Sequence, residues 1–168
     1  SLPEERGHNA GVRHLQHGRE AGMSKKESPD ISISEQSEVF SLAVDGMGGD
    51  GAPDVVVAGL AIAADRHPGM RVLLTGDAAK LRPLLAKHPK AESICTIWHT
   101  DEAVPMDMKP TAALRVRKSS MRLGMDAVAS GRARGVVSAG NSGAMLALAK
   151  IVVKTMPGIS RPAMAAIS

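Results

Sequence analysis

The chain has 168 residues, about one domain's worth, and a net charge of +4; 43% of it is apolar, with only two rings, Phe40 and Trp98. So few rings exclude a nucleic-acid binder that stacks bases, and a single cysteine, Cys95, excludes a disulfide scaffold. The best apolar run, residues 144–153, is broken by Lys150 and falls short of the roughly 18 residues of a membrane span, so a cytoplasmic chain is expected.

Residues 1–38 carry five Lys/Arg against seven Asp/Glu and only eight apolar residues. Such a stretch cannot offset its ordering entropy by burial, and it reads as a disordered polar extension, or in part a start-site artefact, ahead of a folded unit at 39–168. His8, His14 and His17 lack a Cys or carboxylate framework, so no metal site is read there. No cofactor is expected.

From Phe40 the pattern alternates. Residues 40–44 predict a strand ending at Asp45, followed by glycines and a helix from Pro53 to about Arg66, with Pro53 in its first turn. Residues 71–75 predict a second strand, stopped by Gly76, and Asp77 caps a helix to about His88. Residues 93–98 predict a third strand, and a polar loop carries Pro105 and Pro110. Helical pattern runs over 111–130 with a break near Ser119. A strand at 135–139, a helix at 142–155 and a fifth strand at 162–167 complete the chain. Repeated βα units with continuously apolar strands predict an α/β fold, a Rossmann-like three-layer αβα sandwich on a mainly parallel sheet. The fifth strand has no covering element after it, so the architecture is expected to be incomplete at the C-terminus.

In open parallel sheets ligands gather at the carboxyl ends of strands. Two glycine-rich turns fall there. The first, Asp45-Gly46-Met47-Gly48-Gly49-Asp50-Gly51-Ala52-Pro53, can cradle a phosphate or an acyl carbonyl, or serve simply as a tight turn. It is neither a P-loop nor a dinucleotide fingerprint, and Asp45 and Asp50 would repel an anion unless paired or turned away. The second, Ser138-Ala139-Gly140-Asn141-Ser142-Gly143-Ala144, has no acid nearby and is the better anion or oxyanion site; plain helix capping by Asn141 or Ser142 is the alternative. Ser142 is not a nucleophile-elbow serine: Gly143 follows too soon, and no His lies beyond residue 99.

Between the turns, Lys109, Arg115, Arg117, Lys118, Arg122, Arg132 and Arg134 face a single acid, Asp126. Some form a solvated face; together they suit an acidic macromolecule or a phosphorylated ligand. DNA lacks any helix-turn-helix or zinc-finger frame here. Ser119 and Ser120 either donate to a phosphate or cap a helix. Cys95 reads as a buried small hydrophobe, and His67, His88 and His99 as surface residues.

Four motifs occur in order: residues 44–53, then Ala113-Leu114-Arg115 with Ser119-Ser120-Met121, then residues 138–144, then Gly158-Ile159-Ser160-Arg161-Pro162-Ala163. Together they closely resemble the bacterial phosphate acyltransferase family of the PlsX type, over about residues 41–167. The resemblance implies transfer of a fatty acyl group from acyl carrier protein to inorganic phosphate, giving acyl phosphate for phospholipid synthesis. It also implies homodimers of a Rossmann-like fold with peripheral membrane attachment. Substrate binding is then expected at Gly48, Gly49, Asp50, Arg115, Ser119, Ser120, Gly140, Asn141, Ser142 and Gly143. Family members are longer than this folded part, so catalytic residues are expected in the half not present. The alternatives are a truncated, inactive fragment of that family, or an unrelated phosphate-binding module.

Overall fold

The computed structural model describes residues 39–163. The readings for 1–38, and for residues 164–167 of the fifth strand, lie outside the described residues; Pro162 and Ala163, the described part of that stretch, are not in a strand. In chain order the elements are β1 (Leu42–Asp45), α1 (Asp54–Arg66), β2 (Val72–Gly76), α2 (Ala78–Ala86), α3 (Pro89–Ile94) and β3 (Cys95–His99). There follow α4 (Pro110–Ala113), α5 (Ser120–Ala129), β4 (Val136–Val137) and α6 (Ser142–Val152).

The four strands form one all-parallel sheet in the order β3-β2-β1-β4. Leu42 to Asp45 pair with Val72 to Thr75 in register, and Ala43 and Val44 pair with Val136 and Val137 on the other side. Side chains alternate between the faces. Val44, Val72 and Leu74 meet Val57, Leu60 and Ala64 of α1, Leu81 and Leu85 of α2, and Ala91 and Ile94 of α3. The spacing of Val57, Leu60 and Ala64 is that of a single helical stripe. Ala43 and Leu73 point the other way, against Phe40, Ala127 of α5 and Ala133. A third cluster joins α4, α5 and α6 through Ala113, Met121, Met125, Ala144 and Leu148. The result is the expected α/β sandwich with a Rossmann-like strand order.

Several boundaries differ from expectation for local reasons. The helix expected from Asp77 to His88 is followed at once by another, α3, because Pro89 has no N–H to continue the first but fits the first turn of the second. Ser93 and Ile94 therefore belong to a helix, and the third strand begins at Cys95. Pro53 is the N-cap of α1, not its first residue. The helical region 111–130 does break at Ser119, which is the N-cap of α5, its hydroxyl accepting from the Arg122 N–H at 3.2 Å. The fourth strand is only two residues long, and the last helix ends at Val152.

Candidate functional site

Strand order reverses between β1 and β4, and both glycine turns leave the sheet at that point. This is the crevice where open α/β sheets bind ligands. The turns touch. Gly49 adopts φ +96°, and a Cβ there would lie 2.6 Å from the Ala139 carbonyl oxygen. A Cβ on Gly140 would lie 3.3 Å from the Gly48 Cα. Only glycines let the two backbones approach so closely.

Asp45 holds them in register. Its carboxylate is 2% exposed and accepts from the Ser120 hydroxyl at 2.5 Å, the Ser138 hydroxyl at 2.8 Å and the Met47 N–H at 3.1 Å. These donors come from the start of α5, the second glycine turn and the first. Thr75 adds a tie, donating to the Ser120 carbonyl at 2.7 Å. A buried carboxylate met by several donors is tolerated without a cation. The aspartate that looked repulsive to an anion is thus turned inward and spent. Asp50 is exposed.

Ser119 and Ser120 are buried, at 0% and 1% exposure, one hydroxyl capping α5 and the other donating to Asp45. Of the two roles read for them, the structure places capping on Ser119 and internal bonding on Ser120. In this arrangement both hydroxyls are engaged within the protein. Asn141 is the N-cap of α6: its Oδ1 accepts from the Ala144 N–H at 3.0 Å. Its Nδ2 donates to the carbonyls of Met106 at 3.0 Å and Met108 at 2.8 Å, pinning the polar loop to the second turn. The Gly140 N–H already donates to Ser138 Oγ at 3.0 Å.

The amides of Ser142 and Gly143 remain. In the first turn of α6 they have no intrahelical acceptor, the helix dipole presents its positive end there, and the Ser142 side chain is exposed. Pro110, at the start of α4, sits over Gly143, where a Cβ would come within 3.0 Å of its Cγ. The basic segment thereby begins beside this helix start. The seven cations divide. Arg122 pairs with Asp126 at 3.2 Å, and Arg132 lies 4.9 Å over the Trp98 ring. Lys109, Arg115, Arg117, Lys118 and Arg134 are exposed.

Cys95 is half-buried and its thiol is pushed up to about 12 by that burial, as befits an inert strand residue. His67 and His99 are exposed and His88 is half-buried; His99 Nδ1 accepts from the Ala78 N–H. No cluster of three or more His, Cys, Asp or Glu with metal-site geometry occurs among the described residues, and no helix among them is long and apolar enough to cross a membrane.

Residues 40–168 match the family described as fatty acid synthesis protein. The chain is 75% identical over 150 residues to a phosphate acyltransferase of Gluconacetobacter diazotrophicus, covering 89% of this chain and 39% of that one. It is 70% identical over 140 residues to a phosphate acyltransferase of Gluconobacter oxydans, 83% of this chain and 38% of that one. A phosphate acyltransferase of Granulibacter bethesdensis matches at 63% over 128 residues, 76% and 35% of the two chains. The chain thus spans somewhat over a third of the length of the curated relatives it matches. On the sheet order, the paired glycine turns and these matches, the chain belongs to the PlsX-type phosphate acyltransferase family.

Proposed function

We propose that residues 39–168 form the phosphate- and oxyanion-binding part of an enzyme that moves a fatty acyl group from acyl carrier protein to inorganic phosphate. The observation that carries this reading is the helix start at the sheet's switch point, with the Ser142 and Gly143 amides unpaired within α6 and held in place through Ser138 and Asp45. Phosphate is itself a nucleophile, so the reaction needs no serine or cysteine intermediate. One phosphate oxygen attacks the thioester carbonyl, a tetrahedral oxyanion forms, the C–S bond breaks and the carrier thiolate leaves. The protein's work is to orient phosphate and to meet the developing oxyanion with fixed donors. Gly48 and Gly49 supply the close approach, and Ser142 and Gly143 supply the donors.

The exposed cations Arg115, Arg117 and Lys118 suit docking of an acidic carrier protein. The acyl phosphate product feeds phospholipid synthesis in the cytoplasm. The complete enzyme pairs as a homodimer, associates peripherally with the membrane, and supplies its catalytic side chains from the part this chain does not span.

A second reading is a chain that keeps the fold without turnover. A chimera separates the two. Residues 39–168 replace their aligned counterpart in the full-length Gluconacetobacter relative, and acyl phosphate is measured from acyl carrier protein thioester and phosphate. The proposal predicts turnover by the chimera and little or none by the 168-residue chain alone. A folded but inert chimera supports the second reading.

A further inference from the structure

The fold fixes Lys109 beside the start of α6 through both of its chain neighbours. The carbonyl of Met108, which precedes it, accepts from Asn141 Nδ2 at 2.8 Å. Pro110, which follows it, lies over Gly143. Asn141 and Gly143 are the two neighbours of Ser142, so the Lys109 backbone is bracketed alongside that residue. Its own carbonyl accepts from the N–H groups of Ala112 at 2.9 Å and Ala113 at 3.1 Å, which holds the peptide on its far side. The Lys109 side chain is exposed, as is Ser142. Among the described residues no acid forms an ion pair with it, Asp107 on the same loop included.

We propose that Lys109 is a phosphate ligand, its ammonium closing over the anion held at the Ser142 and Gly143 amides; this assignment rests on the function proposed above. Charge balance asks for such a group. A helix start presents about half a positive charge, whereas phosphate near neutral pH carries at least one full negative charge. The amides alone therefore leave much of the anion uncompensated. Other cations of the segment are placed elsewhere. Arg122 and Arg132 are engaged with Asp126 and Trp98, and Lys118 leads into α5, its carbonyl accepting from the Thr100 hydroxyl. A lysine also suits the task chemically, because its charge is compact and its stem flexible, so it can follow the phosphate toward the thioester carbonyl. Lys109 keeps its proton throughout. The bond that forms joins a phosphate oxygen to the acyl carbon, and the bond that breaks is C–S. By offsetting charge, the ammonium lets phosphate shed water and approach the carbonyl in a fixed orientation.

Titration of the 168-residue chain with inorganic phosphate at constant ionic strength, read from the Ser142 and Gly143 amide shifts, tests the assignment. Lys109→Gln is expected to weaken binding about tenfold, as loss of a charged hydrogen bond does, with amide shifts outside the two turns unchanged. Lys109→Arg, which keeps the charge, should bind within about threefold of the original chain. Lys150→Gln removes the same charge from the exposed far end of α6 and should weaken binding by no more than about twofold. Unchanged affinity in Lys109→Gln, or equal weakening in Lys109→Gln and Lys150→Gln, would overturn the role of Lys109 and leave the phosphate site standing. No saturable shift at Ser142 and Gly143 in the unsubstituted chain would remove the phosphate site itself, and Lys109 with it.

Discussion

The two glycine turns leave neighbouring strands, lie in contact and look alike in composition, yet they use their glycines differently. In the first, Gly48 and Gly49 remove side chains so that one backbone can lie against another, and the nearby carboxylate is consumed in holding the arrangement. In the second, the polar side chains do the fastening: Ser138 to Asp45, Asn141 to the loop at 106–108. The backbone amides of Ser142 and Gly143 are then left for something else. A glycine-rich turn is therefore not evidence of a ligand by itself. What distinguishes a support from a site is where the hydrogen-bonding groups are already committed.

Substitutions can break that contrast in order of severity. Gly49→Ala is the largest, because it puts a Cβ 2.6 Å from the Ala139 carbonyl oxygen at a φ of +96°. We expect a loss of about 3 kcal/mol or more in urea unfolding, from strain and overlap combined. Asp45→Ala comes next. It leaves the buried Ser120 hydroxyl and the half-buried Ser138 hydroxyl without their acceptor, at about 2–3 kcal/mol. Asp45→Asn, which keeps an oxygen acceptor and adds a donor, costs less. Asn141→Ala removes a cap and the loop's anchor, about 1–2 kcal/mol, with faster amide exchange in the loop at 106–108 as its signature. Ser142→Ala removes an exposed hydroxyl that fastens nothing described and keeps the backbone N–H, so stability should change by no more than about 0.5 kcal/mol and phosphate binding should persist. If Ser142→Ala instead unfolded the chain as severely as Gly49→Ala, the division of labour between the turns would be wrong.

A smaller effect comes from the half of the sheet away from the site. The Cys95 thiol, ordinarily at 9.0, is raised to about 12 in the fold, so the folded chain holds a proton that the unfolded chain has lost. Stability from this group is full below pH 9 and falls progressively as pH rises toward 12. Cys95→Ser should remove that component of the alkaline slope, and thiol alkylation of the native chain near pH 8 should be slow.

The alternation of strands and helices was legible because each element carries its own period: Val57, Leu60 and Ala64 on one stripe, and Val72 to Thr75 as a continuous run. The break at Ser119 was legible from its capping chemistry. The join between α2 and α3 was not, since a proline that ends one helix can equally begin another, and His88 gives no sign of which. The site was half legible. Glycine turns at strand ends mark the crevice, but the fate of each polar side chain depends on partners far along the chain. Asp45 meets hydroxyls 75 and 93 residues away. No local pattern distinguishes a carboxylate so engaged from one facing solvent, and the same distance hid the commitment of Ser120. Asn141 was readable as a cap, but its grip on the loop was not.

We propose above that phosphate and the oxyanion are held at the start of α6, kept in register through Asp45. Amide chemical-shift mapping of the chain during titration with inorganic phosphate tests it most directly. Saturable shifts are expected to concentrate at Ser142 and Gly143, with smaller ones at Gly48 and Gly49, all weakened in Asp45→Asn. Shifts confined to the exposed cations at 115–118, or no saturable shift in either glycine turn, would contradict it.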